Sequence, residues 1–247
     1  MSEYLMPTIS AWLTLPCPAA AELLSRQGFD ALVLDLQHGL IEYPDALAIL
    51  QAMPGGGATP LVRVAGHDPA MIMKLLDAGA LGVICPLIST WEECERFVAA
   101  CRYPPRGTRS FGPLRAALVH GPDYFQRADE LIQTWAMLET REGLDNLEAI
   151  LAVDGLSGVF IGPNDLCLAL GQPPASEPTA LEVAAAIQRI LAAAHRHGRL
   201  AGIFCSGPQA ARLRLDEGFD LVVAGSDVGL LGQAAQEALS TVRGPSA

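Results

Sequence analysis

Lysine is nearly missing from this chain: Lys74 is the only one among 16 lysines and arginines. Chemistry that needs a lysine Schiff base requires that amine at the end of a barrel strand, and Lys74 sits mid-helix by its surroundings (MIMKLLD). Charge of one sign is also scarce. The net charge of −11 argues against a nucleic-acid backbone or an anionic membrane as partner. An anionic substrate must then be met by a few well-placed arginines. No apolar run approaches the ~18 residues that span a bilayer. The opening MSEYLMPTIS lacks the basic-then-apolar order of a secretory leader, so a cytoplasmic location is expected. The six cysteines (17, 85, 94, 101, 167, 205) form no CxxC and read as small apolar residues in a reducing compartment. No Walker-type loop and no GxSxG elbow occurs, and GGGATP is only a glycine turn.

What the sequence has in quantity is apolar surface: 51% of 247 residues are hydrophobic. That is more than one core needs and suggests faces buried against other subunits. A weak repeat organises it. A glycine that suits a helix end precedes an apolar run in QGFDALVLD (27–35), AGALGVICP (78–86), DGLSGVFIGP (154–163) and EGFDLVVAGSD (217–227), with HGRLAGIFCSG (197–207) a looser copy. The unit is helix then buried strand, the grammar of a parallel sheet. Eight strands are predicted: 9–13, 31–36, 60–64, 82–86, 134–138, 158–161, 200–204 and 220–224. Eight such units in this length predict one closed (β/α)₈ barrel spanning 1–247.

Helix starts are legible too. Asp68-Pro69 reads as an N-cap with proline in the first turn, and Thr90…Glu93 and Thr179…Glu182 read as capping boxes. Val183, Ile187, Ile190, Leu191 and Ala194 form one apolar helical stripe; Leu231, Ala235, Ala238, Leu239 and Val242 form another. The one long connection, 102–133, is rich in Pro, Gly and Arg and becomes helical around 123–133. A connection of this length tends to be functional or interfacial.

In such a barrel, polar residues at the C-terminal ends of strands are the candidates for chemistry. Strand two ends in Asp35-Leu36-Gln37-His38-Gly39, strand three carries Arg63, strand five ends in Glu139, and strand six runs into Gly162-Pro163-Asn164-Asp165. Each alone has an ordinary structural role; together at one mouth they form a coherent set. Two carboxylates with water and substrate oxygens suit Mg²⁺ or Mn²⁺. Such an ion can chelate a 2-oxo acid and acidify the neighbouring C–H. Arg63 is placed to stabilise the oxyanion and His38 to move a proton, with Asp35 or Asp77 as the group that orients the imidazole.

At these residues the chain resembles the HpcH/HpaI family of metal-dependent pyruvate aldolases. The resemblance lies in DLQHG (35–39), LVRV (61–64), LLDAG (75–79), RYPPRGTRSFGP (102–113), LETREGLDN (138–146) and IGPNDLCLALG (161–171). It implies that Glu139 and Asp165 ligate a divalent metal, Mg²⁺ or Mn²⁺ first and Co²⁺ or Zn²⁺ as alternatives. It makes His38 the acid/base, Asp77 the support of that histidine's basicity, and Arg63 the stabiliser of the transition state. The backbone of Gly162, Pro163 and Asn164 is expected to hold the donor carboxylate. Substrates are then a 2-oxo acid and an aldehyde. Met137 stands where many members carry glutamine, Gln37 where an acid is common, and Cys167 where serine is frequent; these departures point to altered substrate handling. The resemblance also implies a homo-oligomer, a hexamer, with residues near Phe111 reaching a neighbour's acceptor pocket. Oxaloacetate decarboxylation and acyl-CoA-ester lysis are the enzymatic alternatives, although a CoA ester should call for a basic patch that this acidic chain lacks. A non-catalytic metabolite-binding barrel is the alternative from another class.

Overall fold

The computed structural model describes residues 7–244, so the reading of residues 1–6 lies outside it. Eight parallel strands close in sequence order, β8 pairing back onto β1. They are β1 (Thr8–Leu13), β2 (Ala31–Asp35), β3 (Thr59–Arg63), β4 (Gly82–Cys85), β5 (Gln133–Leu138), β6 (Gly158–Ile161), β7 (Leu200–Ile203) and β8 (Leu221–Ser226). All eight predicted strands are present. The glycines of the repeat (28, 79, 155, 198 and 218) all have positive φ, the conformation that lets a helix stop and the next strand begin.

Alternation along each strand separates two cores. Ala31, Val33, Leu61, Ile84, Trp135, Met137, Phe160, Leu221 and Val223 fill the barrel with Trp12. Their neighbours, such as Leu32, Leu34, Val62 and Val83, face the helices. The same period carries inward direction beyond the filled layers. Asp35 follows Val33, Arg63 follows Leu61, Glu139 follows Met137, and Gly162 follows Phe160. The polar set is therefore the top layer of the barrel interior.

The helices include α1 (Pro18–Ser25), α2 (Tyr43–Ala52), α3 (Pro69–Asp77), α4 (Trp91–Cys101), α5 (Leu114–His120), α6 (Tyr124–Leu131), α7 (Arg141–Asp145), α8 (Leu147–Leu151), α9 (Pro163–Ala169), α10 (Leu181–Arg196), α11 (Pro208–Glu217) and α12 (Asp227–Arg243). Asp68 caps α3 through the Ala70 amide, and Thr90 with Glu93 closes a capping box on α4. The third predicted cap is corrected. Helix α10 starts from Ala180 with no side-chain cap, which leaves Glu182 one position too early for a box with Thr179. The long connection holds two helices, α5 and α6, rather than one.

Arginine does the work that the missing lysine cannot. Arg199 donates to the carbonyls of Leu151, Val153 and Leu156, and Arg115 donates to Leu50 and Ala78. A planar fork can satisfy several helix-end carbonyls at once. Cys85, Cys94, Cys101, Cys167 and Cys205 are buried and unbridged, and Cys17 is exposed. The stripe of α10 is buried, as expected. That of α12 is not: Leu231 is 66% exposed, Leu239 52% and Val242 85%. Among the described residues no helix is long and apolar enough to cross a membrane.

Candidate active site at the barrel mouth

A cavity of about 230 Å³ opens at the C-terminal end of the strands, lined among others by Trp12, His38, Arg63, Met137, Asp165 and Phe204. Gly162, Pro163 and Asn164 form its β6 side. A cavity of similar size, about 250 Å³, lies at the N-terminal end of β3 and has no carboxylate on its walls. Of the expected acid/base and metal-ligating residues, His38 and Asp165 line the mouth cavity and Glu139 is buried beside it against Gly162.

Parallel register sets Asp35 beside Arg63. Arg63 Nε donates to Asp35 Oδ1 at 2.8 Å and Nη2 to Oδ2 at 2.6 Å. Trp12 Nε1 adds a bond to Oδ2 at 3.1 Å, and the guanidinium lies 4.9 Å from the Trp12 ring centroid. Burial alone would raise the Asp35 carboxyl, but the Arg63 hydrogen bond and charge, with Trp12 and the Gln37 amide, hold it below its ordinary value. Asp35 Oδ1 also accepts the backbone amides of Gln37 at 3.0 Å and His38 at 3.3 Å. Asp35, one of the two carboxylates expected to orient the imidazole, is thus committed to Arg63, Trp12 and the turn itself.

Glu139 is the most unusual group. It is 2% exposed; Oε1 accepts the Leu87 amide at 2.9 Å, while Oε2 is buried without a partner. Burial pushes its carboxyl up to about 7. The Asp165 charge adds to that, and the Leu87 amide and Arg63 oppose it. An orphaned buried carboxylate oxygen near a second carboxylate is costly as it stands. The pair fits a divalent cation, which would partner the oxygen and offset the repulsion. Gly162 belongs to the same arrangement, since a Cβ there would run into the Glu139 carboxylate and the Met137 side chain. No group of three or more His, Cys, Asp or Glu that could hold a metal occurs among the described residues. Among the described residues, with Asp35 committed to Arg63, the mouth offers two carboxylates, and the remaining positions would fall to water and substrate oxygens.

Helix α9 begins at the cavity, with Pro163 at its start and Asp165 in its first turn. The first amides of a helix have no intrahelical partner, so Asn164 and Asp165 are the donors available there. Pro163 has no N–H and can only shape the wall. Asn164 Nδ2 reaches Ser176 Oγ at 3.3 Å, tying the cavity edge to the segment that precedes α10.

Two expected residues lie outside their own chain's cavity, Phe111 in keeping with its expected place at a neighbour's pocket. Asp77 is not beside His38; its Oδ1 accepts from Arg109 Nη2 at 2.7 Å. It is the last residue of α3, which runs back from the mouth, so the fold carries it to the far end of the barrel. Phe111 is 69% exposed and lines no wall of its own chain's cavity. It packs tilted against Tyr103 and edge-on against Phe125 at centroid distances of 5.8 and 5.5 Å. Conversely, Trp12 and Phe204 form part of the cavity and went unnoticed in the sequence. Aromatics in apolar strands look like core; only their place at the inward end of β1 and just beyond β7 distinguishes them.

The model of the HpcH/HpaI aldolase/citrate lyase family matches residues 8–234. The chain belongs to that family. A hydroxypyruvate/pyruvate aldolase of Rhizorhabdus wittichii is 45% identical over 96% of this chain and 94% of its own length. A 5-keto-4-deoxy-D-glucarate aldolase of Citrobacter koseri is 38% identical, covering 93% and 89%. The solved structure of an HpcH/HpaI aldolase/citrate lyase family protein from Burkholderia cenocepacia superposes with a TM-score of 0.90 at 32% identity, over 97% of this chain and 95% of that one. The HpcH/HpaI family is divalent-metal-dependent, which agrees with the carboxylate pair. This member is an aldolase, a carbon–carbon lyase. The decarboxylase, acyl-CoA lyase and non-catalytic readings are not favoured.

Proposed function

We propose that the enzyme forms and cleaves 4-hydroxy-2-oxo acids, using pyruvate or hydroxypyruvate as donor and a small aldehyde as acceptor. We propose Mg²⁺ or Mn²⁺ as the metal, with Co²⁺ or Zn²⁺ able to replace it, and a cytoplasmic location. The observation that carries the reading is the unpartnered Glu139 Oε2, buried against Gly162 and near Asp165, beside a cavity lined by Gly162, Asp165, His38 and Arg63. A divalent ion held by Glu139 and Asp165 supplies Lewis-acid polarisation of the donor carbonyl. The protein's own groups do the rest. The amides at the start of α9 meet the donor carboxylate. Arg63 Nη1, which makes no hydrogen bond among the described residues, faces the charge that develops on oxygen. His38, with no side-chain hydrogen bond among the described residues, moves the proton between donor carbon or aldol hydroxyl and solvent. Trp12 and Phe204 exclude water from the apolar side of the cavity, and Met137 contributes packing where it cannot contribute a hydrogen bond.

The same reading includes a homo-oligomer, a hexamer. The stripe of α12 and the exposed Phe111, Leu114, Leu118 and Phe125 support it, because a monomer rarely leaves so much apolar surface in water. Phe111 and the Asp77–Arg109 pair, unused in their own chain's cavity, are then available to a neighbour. The test pairs metal-loaded protein with 2-oxo acids and aldehydes. Aldol adducts from pyruvate or hydroxypyruvate are expected. Rapid loss of CO₂ from oxaloacetate without any adduct would replace this reading with a decarboxylase.

A further inference from the structure

The imidazole of His38 makes no hydrogen bond among the described residues, so its aim is set by the turn that carries it. Asp35 holds the near side of that turn through the amides of Gln37 and His38. The far side rests on Thr14, whose carbonyl accepts the Leu40 amide at 2.8 Å. Gly39 is pressed between the Asp35 carbonyl and Thr14 with no room for a Cβ. Thr14 is in turn fixed from the opposite end of the sequence. Asp227, 6% exposed, accepts the Thr14 amide through both oxygens at 3.0 Å, the Thr14 hydroxyl at 2.8 Å and the Leu15 amide at 2.9 Å. The Val228 amide adds a bond at 2.8 Å.

We propose that Asp227 is a positioning residue for the aldol reaction, holding through Thr14 the turn that presents His38. The inference rests on the proton-transfer reading of His38. Its physical basis is the concentration of bonds on one point. A carboxylate needed only to start α12 could stop at the Val228 amide. This one spends its other four contacts on two residues of the β1–α1 loop, next to Trp12 in the cavity wall. A shift of about 1 Å in a reacting group can cost as much as 100-fold in rate, so a loosened Thr14 should be felt in kcat.

The experiment is a double-mutant cycle between Asp227 and His38, with metal affinity measured on every preparation. Asp227→Asn keeps size but presents an amide N–H to the donors of Thr14 and Leu15. It is expected to lower kcat roughly 10–100-fold with metal affinity retained and a much smaller change in donor KM. In the His38→Ala background the same substitution should change residual turnover by less than about 2-fold, since coupled residues do not add. Thr14→Val removes a single bond and serves as the second arm if Asp227→Asn does not fold; its effect should also vanish without His38. An equal loss of kcat in both backgrounds, or an unchanged kcat in the folded variant, overturns the positioning role. Full turnover by His38→Ala overturns instead the reading of His38 on which the proposal rests.

Discussion

The guanidinium of Arg63 closes on both oxygens of Asp35, with Nε and Nη2 as donors at 2.8 and 2.6 Å. Two of its three nitrogens are committed to orientation, and Nη1 is left for the substrate. Hydrogen bonds to charged groups are worth ~1.5–3 kcal/mol, so Arg63→Lys, which loses the planar fork, should cost about 10–100-fold in kcat. Arg63→Ala should also destabilise the fold by about 3–5 kcal/mol, because it leaves the Asp35 charge buried and unpaired. Steady-state kinetics separates the effects: a change confined to KM would make Arg63 a uniform binding contact instead.

Glu139 makes metal-free protein sensitive to base. Its folded-state carboxyl titrates near 7, above the 4.5 of an exposed glutamate. A group raised in the folded state contributes stability that is present below the unfolded value and is lost as pH rises through the folded one. The Tm of chelated protein should therefore fall between about pH 4.5 and 7. Glu139→Gln should flatten that slope, and saturating metal should remove it. An unchanged slope in the variant would place the titrating group elsewhere.

Asp35 has the opposite sign. Its carboxyl is held below the ordinary 3.8 despite burial, chiefly by Arg63. Its contribution is present above that value and is lost as pH falls through the lower folded-state one. Acid unfolding of Asp35→Asn should show a shallower pH dependence below pH 4 than wild type, read by far-UV circular dichroism.

Helix α12 provides a test of assembly. Charges placed at Leu231 and Leu239, both exposed in the single chain, should leave the barrel folded yet lower the mass seen by light scattering. Leu231→Glu with Leu239→Glu retaining the wild-type mass would remove α12 from the interface.

The barrel was legible because its signal repeats. Five glycine-then-apolar units marked the strands, and their C-terminal ends then picked out Asp35, Arg63 and Glu139 as candidates. Single features were less secure. The Thr179 cap failed by one residue. The stripe of α12 was real, yet a stripe does not say which molecule covers it. Asp77 pairs with Arg109 rather than with its own chain's His38, because α3 runs back from the mouth and no local pattern in LLDAG reports that. Trp12 and Phe204 were hidden because an aromatic at the rim and one in the core have the same local sequence. Asp227 was hidden because its partners lie more than 200 residues away.

The central claim, that Glu139 and Asp165 hold the metal that lets this mouth make an enolate, is tested most directly without any aldehyde. Pyruvate is incubated with protein in D₂O, and loss of the methyl proton signal is followed by NMR. Metal-loaded wild type should exchange the methyl protons. Chelated wild type, Glu139→Gln and Asp165→Asn should not, while each variant keeps its fold by circular dichroism. Exchange that persists at full rate after chelation, or in either carboxylate variant, would contradict the account.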